Sequence, residues 1–348
     1  MAGSWTKQNK VLPGAYINVA TNTPLAITTG ERGIVVILQE LTTGEDARLY
    51  KITATEAEWP DGTTADDKKL ANEALKKAKT VLVYKLPDEH TTEQVSAALA
   101  ALKTQPFNTL CYPYDSTPTT AAACKTAIAT WVKTMREEGL KYQAVLANYS
   151  GDSEGLINVA QGVILNDSTE LTAAEVTAWV AGATAGANVA TSNTMSKYEG
   201  AIDVVPRMTK TEMEEAIKSG KFIFKVDSSQ NVTVVYDINS LTTITPDKSK
   251  IFTKNRVIRA IDGIANDVAT IFESSYVGKI SNNEDGRSIF KAVLVDYFNN
   301  LQARGAIQNF DVKDVAVKAG EASDAVIVNA YIQPVDSVEK IYITVNLS

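Results

Sequence analysis

Hydrophobic residues recur along this chain with two alternating periods, and the switches between them mark its elements. Gly33 to Leu38 is a continuous apolar run, and Arg48 to Thr53 reads as a second strand. From Thr64 to Lys79 the period becomes helical. Leu70, Ala71, Ala74, Leu75 and Ala78 share one face, and Thr64 with Asp67 has the spacing of a reciprocal N-terminal cap. After strand Val81 to Leu86 a second cap, Thr91 with Gln94, opens a helix carrying Val95, Ala98, Leu99 and Leu102, which leads to strand Phe107 to Tyr112. Thr117 and Pro118 start a third helix with Cys124, Ile128, Trp131, Val132 and Met135 inward, and Gly139 ends it before strand Tyr142 to Tyr149. Strands alternating with helices predict a parallel sheet with right-handed crossovers, hence an α/β fold.

The pattern continues with an apolar strand, Ile157 to Leu165, then a helix capped by Thr172 and Glu175 that carries Val176, Trp179 and Val180. A helix from Thr209 puts Met213, Ala216 and Ile217 inward and stops at Gly220; Lys221 to Val226 and Val232 to Ile238 then read as a hairpin. Pro246 and its polar neighbours predict a domain boundary. Beyond it lie one helix with Val257, Ile258, Ile261, Ile264, Val268, Ile271 and Phe272, and another with Ile289, Phe290, Val293, Tyr297 and Leu301 that ends at Gly305. Three strands follow: Phe310 to Val317, Val326 to Ile332, and Ile341 to Leu347. In the last, Ile341, Ile343, Val345 and Leu347 alternate with Tyr342, Thr344 and Asn346. At the other end Pro13, Gly14 and Pro24 preclude a helix, while Ala15, Ile17 and Val19 alternate with Tyr16, Asn18 and Ala20. The chain thus divides into an extended arm (1–20), an α/β domain (21–245) and a C-terminal α+β domain (246–348) that ends in a strand arm.

Charge and composition narrow the partners. A formal net charge of -7 without any basic run argues against nucleic acid, since phosphate neutralisation needs clustered Lys and Arg. The two cysteines, Cys111 and Cys124, have neither metal nor disulfide spacing, which suits a reducing place of folding. The first residues lack the charged and apolar regions of a secretory signal. Val176 to Ser196, the longest uncharged stretch, is too polar to span a membrane, so no membrane insertion is expected.

The most enzyme-like string is Gly151-Asp152-Ser153-Glu154-Gly155, which fits the nucleophile-elbow pattern after a predicted strand. An elbow must feed a helix, yet Leu156, Ile157, Val159 and Val163 continue as a strand. The single histidine, His90, precedes the serine, the wrong order for an α/β hydrolase, and sits in a polar turn where it reads as an exposed loop residue. A subtilisin-type order using Asp66 or Asp67, His90 and Ser153 stays formally open. One histidine and two separated cysteines cannot form a usual zinc site, and Asn283-Glu284-Asp285-Gly286 lacks the alternating oxygens of a calcium loop. Ala181-Gly182-Ala183-Thr184-Ala185-Gly186-Ala187 lies at a helix end, where it suits close packing better than a phosphate cradle. No catalytic, cofactor or metal residue is assigned.

Several strings together resemble the contractile phage tail sheath family, in the short form of prophages and phage-tail-like bacteriocins. They are Gln8-Asn9-Lys10, Pro13-Gly14-Ala15-Tyr16-Ile17 and Gly30-Glu31-Arg32-Gly33; then Trp179-Val180-Ala181-Gly182 and Asp237-Ile238-Asn239-Ser240-Leu241-Thr242-Thr243. The C-terminal part adds Asn255-Arg256-Val257, Tyr276-Val277-Gly278-Lys279, Gly286-Arg287 and Pro334-Val335-Asp336-Ser337-Val338-Glu339-Lys340-Ile341-Tyr342. The resemblance implies a central domain of subtilisin-like, non-catalytic fold. It also implies a structural subunit whose copies stack in rings around an inner tail tube protein, together with baseplate and tail terminator proteins, and contract. Assembly in the bacterial host cytoplasm into a virion tail or tail-like particle would follow. The implied assembly interface is strand exchange through Tyr16, Ile17, Asn18 and Val19 and through Ile341, Tyr342, Ile343, Thr344 and Val345. Two other readings compete: a serine hydrolase using Ser153, and a monomeric α/β binder of a small molecule.

Overall fold

The computed structural model describes residues 32–115 and 119–339. The N-terminal arm, the Thr117-Pro118 helix start and the final predicted strand lie outside them. β1 (Ile34–Glu40) runs inside a seven-stranded sheet, between β3 (Thr80–Leu86) and β4 (Thr109–Tyr112). β5 (Gln143–Ala147), β6 (Leu156–Val159) and β10 (Lys221–Phe222) extend it past β4, and β2 (Leu49–Thr53) closes the edge beyond β3. Every pair is parallel except β2 with β3. Both faces are apolar, as a parallel sheet requires. Val35, Ile37, Val83 and Val145 face α1 (Ala65–Leu75) and α4 (Ala173–Gly186), whereas Val36, Leu38, Leu86 and Leu146 face α2 (Thr92–Leu102) and α3 (Thr119–Glu137). The reciprocal caps at Thr64, Thr91 and Thr172 form as the sequence predicts.

α4 is the helix on which this layering turns. Every residue from Val176 to Ala185 is buried, so the helix has no polar face. Trp179 stacks on Tyr198 at 4.3 Å between ring centroids, and the Tyr198 hydroxyl donates to Glu73 of α1 at 2.8 Å. Gly182 and Gly186 let α4 lie against α1 at backbone distance: an added Cβ at Gly182 would run into the Ala74 carbonyl, and one at Gly186 into that of Lys77. Close packing is therefore the role of this small-residue run.

Two predicted strands each split between sheets. Ile157 to Leu165 breaks at Gln161 into β6 and β7 (Gly162–Leu165), and β7 joins β8 (Glu170–Leu171) and β9 (Ala201–Val205) in a separate sheet. Gln161 is fully buried; its side chain accepts from the Phe224 amide and donates to the Pro206 carbonyl, both at 2.7 Å, so a polar side chain redirects the run. Lys221 to Val226 likewise divides into β10 in the main sheet and β11 (Phe224–Val226), which pairs with β12 (Val232–Val234). On α5 (Lys210–Lys218) only Ala216 is buried, with Met213 and Ile217 half-covered. Trp131 is also half-buried, lying parallel to Tyr142 at 5.6 Å.

The C-terminal part packs α6 (Asn255–Ile271), which continues through a π-helical turn at Phe272–Tyr276, against α7 (Glu284–Ala303). Gly305 ends α7 with φ +71°. Ile289 of α7 points outward, 52% exposed, although the periodicity placed it inside. Two short ladders complete it: β13 (Ile307–Gln308) with β16 (Gln333–Pro334), and β14 (Val315–Ala319) with β15 (Val326–Ala330). The predicted strand from Phe310 starts only at Val315, because Asp311 caps a short 3₁₀ turn at Val312–Asp314.

Because Gly182 meets backbone that cannot rotate away, Gly182→Val should lower the unfolding free energy by about 3 kcal/mol or leave the protein insoluble. Chemical denaturation reads the difference; an unchanged midpoint would show that α4 and α1 are not in backbone contact.

Candidate assembly interface

Ser153 and His90 sit at opposite ends of the parallel strands. Ser153 lies just before β6, at the N-terminal edge, and is tied down locally: its Oγ accepts from the Gly155 amide at 3.1 Å and its carbonyl accepts from the Ser240 hydroxyl at 3.1 Å. The neighbouring Asp152 carboxylate accepts from the Thr242 and Thr243 amides, and the hydrogen bonds from Thr243 and Thr242 hold its pKa down to about 2. The Gly151 to Gly155 string is thus a fastening loop against residues 240–243.

His90 follows β3 at the C-terminal edge and is buried, not exposed as its polar surroundings suggested. Its Nδ1 donates to the Glu40 carboxylate at 2.6 Å, which leaves Nε2 to accept from the Tyr112 hydroxyl at 2.7 Å. Burial pushes the Tyr112 phenol well above its ordinary pKa, so the chain of contacts cross-links the ends of β1, β3 and β4 without supplying an ionised nucleophile. Asp67 is engaged by Thr42 and Thr64. Asp66, His90 and Ser153 therefore do not converge with it on one site. Burial also pushes the Cys111 thiol up to about 12. Among the described residues no group of three or more His, Cys, Asp or Glu is placed to hold a metal.

What the structure does bring together is the junction between the α/β part and the C-terminal helices. Asp237 is almost wholly buried; its carboxylate accepts from Asn255 Nδ2 at 2.9 Å and the Asn193 amide at 2.8 Å, with the Arg259 guanidinium 3.4 Å away. Arg259 also donates to the Thr184 and Thr191 carbonyls, at 3.2 and 2.6 Å, which closes the end of α4. One turn further on, Asp262 accepts from both terminal nitrogens of Arg136 in α3, at 2.7 and 2.8 Å. Lys254 pairs with Glu339 and donates to the Tyr236 hydroxyl, and Arg256 donates to Ser337 at 3.0 Å, so the segment leading to the C-terminal arm is fixed here as well. Sequence periodicity could not reveal this cluster, because its members come from segments as far apart as Arg136 and Glu339.

The far end of the C-terminal part is a ribbon with an open edge. Asn282 donates to the Ser323 and Ala325 carbonyls, both at 2.9 Å, and Arg287 donates to Asn282 at 3.0 Å, which pins the β14–β15 turn to the start of α7. β15 pairs only with β14 among the described residues. Ile327 is 47% and Tyr331 77% exposed beside that free edge. Tyr16, Ile17, Asn18 and Val19, and Ile341, Tyr342, Ile343, Thr344 and Val345, all lie outside the described residues.

Family models match along most of the chain: the phage tail sheath protein central domain over residues 88–240, the phage tail sheath C-terminal domain over 247–348, and the N-terminal region of tail sheath domain III over 32–86. The phage-like element PBSX protein XkdK of Bacillus subtilis is 37% identical over 259 residues, 72% of this chain and 55% of its own length. The chain thus spans about half the length of that curated relative. The tail sheath protein of Clostridium phage phiCD119 is 30% identical, covering 82% of this chain and 80% of that protein. Among solved structures, a sheath tail protein of Desulfitobacterium hafniense superposes with a TM-score of 0.82 at 34% identity, over 95% of this chain and 99% of that one. The contracted helical sheath of the anti-feeding prophage shares the fold at 14% identity, with a TM-score of 0.74 over 97% of this chain and 100% of that one. The chain belongs to the phage tail sheath protein family.

Proposed function

We propose that this chain is the structural subunit of a contractile sheath, polymerising around an inner tube and contracting to drive it through a target cell envelope. The observation that carries the reading is the β15 edge, unpaired among the described residues, set at the end of a body whose family builds tail sheaths. An unpaired edge flanked by exposed apolar side chains is a template for strand addition, and main-chain hydrogen bonds supply the affinity. The added strands are the arms of neighbouring copies, Tyr16 to Val19 and Ile341 to Val345. The working division is an arm over 1–20, an α/β sheath domain over 21–245 and a C-terminal domain over 246–348. Kinship of the α/β domain with subtilisin-like folds would explain a parallel sheet without a convergent triad. Baseplate, terminator and tube proteins complete the partners, in a tail-like particle made in the host cytoplasm. The subunit needs no catalysis, because contraction releases energy held in a less favourable extended packing.

Two measurements test the reading. Each intersubunit hydrogen bond contributes about 0.5 to 1.5 kcal/mol net, so one exchanged strand is worth a few kcal/mol and counts only when repeated along a lattice. A chain lacking Met1 to Ala20, or carrying Ile17→Pro, should therefore keep its circular dichroism spectrum and melting temperature yet form no tubes in negative-stain micrographs. Contractile sheaths of normal length from either variant would sink the strand-exchange model. On the non-catalytic side, a fluorophosphonate probe should leave Ser153 unlabelled, and Ser153→Ala should assemble normally. His90→Ala should instead destabilise the fold by about 2 to 3 kcal/mol, since it strands Glu40 and Tyr112. Labelling of Ser153, or hydrolysis lost in either variant, would establish an enzyme.

A further inference from the structure

Where the β14–β15 ribbon meets the turn from α6 into α7 lies a cleft of about 440 Å³, walled by Phe272, Val277, Ile280, Phe290 and Val326. Val277 is 55% exposed, so the apolar wall runs out to the surface. Tyr276 also lines the cleft, 5% exposed, its ring 4.6 Å from that of Phe290 between centroids. The Tyr276 hydroxyl is shut off from solvent and has no hydrogen-bond partner among the described residues. A buried phenol without a partner is worse than a phenylalanine in the same place, unless something outside the subunit body supplies the partner.

The register of the ribbon says what would lie over the cleft. Val317 pairs with Val328 and Ala319 with Val326, and Val315 and Val317 pack towards α7, so Val326 and Val328 belong to the helix-facing side. A strand added beside β15 continues that face, and every second side chain it carries falls towards the cleft. Added strands gain affinity from main-chain hydrogen bonds and specificity from pockets that take alternate side chains. The segment Ile341 to Leu347 has the matching face, with Ile341, Ile343, Val345 and Leu347 on one side and no charged side chain among its residues. The N-terminal alternation offers only the smaller set Ala15, Ile17 and Val19. Reach points to another copy. Glu339 is tied to Lys254 at the start of α6, whereas the cleft lies beyond the end of α6, about 30 Å along the helix. Lys340 to Leu347 extends over about 27 Å at most, so within one copy the strand would end before it could lie across the cleft.

We infer that this cleft is the side-chain socket for strand Ile341 to Leu347 of a second copy, and that the arriving strand supplies the partner of the Tyr276 hydroxyl. The inference rests on the strand-exchange reading and deepens it, because the socket fixes which arm takes the β15 edge and in which register. A one-residue slip would turn Tyr342, Thr344 and Asn346 into the apolar wall. The contact joins unlike patches of two copies, as a propagating filament requires.

Two variants of the full chain and one peptide test it. Tyr276→Phe should melt at or about 2 °C above the parent, since it removes an unpaired hydroxyl, yet need about fivefold more protein to form tubes. A purely structural tyrosine would not move the two readouts in opposite directions. Val277→Asp, at an exposed position, should melt like the parent and yield about tenfold fewer pelletable tubes, because the charge would be buried only on assembly. A fluorescent peptide of residues 340–348 should bind the soluble subunit, and bind Val277→Asp about tenfold more weakly. A Tyr276→Phe subunit that melts below the parent would show the hydroxyl satisfied within its own copy and overturn the socket. So would parental tube yields from Val277→Asp, a peptide that binds both proteins equally or neither, or displacement of it by a peptide of residues 12–22, which would give the cleft to the N-terminal arm. In each case strand exchange stands as long as deletion of Met1 to Ala20 abolishes tubes; tubes from that deletion, with parental yields from Val277→Asp, would overturn both.

Discussion

The buried carboxylate of Asp237 is the constraint on which the arrangement of this subunit depends. A charge removed from water is tolerated only where donors converge on it, and here they come from three other places: Asn193 beyond α4, Asn255 at the start of α6, and Arg259 one turn later. Satisfying that one group places α6 across the end of α4. Arg136 and Asp262 then close a second ion pair, and Lys254 with Glu339 a third at the root of the C-terminal arm. Truncating any one partner would strand a buried charge, which generally costs about 3 to 5 kcal/mol.

Such a junction ties the α/β part and the C-terminal helices together through buried charge. On the proposed reading, contraction cannot come from bending within the subunit at this seam. It must come from bodies sliding past one another while strand-exchanged arms keep them linked. That reading assigns the contacts that persist to main-chain ladders at the β15 edge. It also accounts for the state of the His90 cluster. A carboxylate, an imidazole and a phenol in hydrogen-bonded series could pass for catalytic machinery, yet the phenol is buried against ionisation and the one elbow-like serine lies at the other end of the strands.

Much of the layering was legible in the sequence, because period and caps are local signals. Thr64, Thr91 and Thr172 cap helices where their spacing to Asp67, Gln94 and Glu175 says they should. The misses share a cause. Gln161 looks like a neutral interruption of an apolar strand until its two backbone partners, from distant segments, show why the strand must change sheets. His90 looks solvent-exposed because its neighbours in sequence are polar, whereas its neighbours in space are Glu40 and Tyr112. The Asp237 junction was visible only as disconnected strings of a family resemblance, since no periodicity links residues 136, 237, 259 and 339. Tyr16 to Val19 and Ile341 to Val345 lie outside the described residues, so their assignment to strand exchange rests on their alternation in the sequence and on the family resemblance.

The most direct test of the account is therefore a cryo-EM reconstruction of tubes assembled from the full chain, at a resolution that traces the backbone. The account predicts density for Tyr16 to Val19 and Ile341 to Val345 of neighbouring copies hydrogen-bonded as strands alongside β14 and β15, with the body of each subunit unchanged at the Asp237 junction. A lattice in which both segments fold back onto their own subunit and the β15 edge stays bare would contradict it.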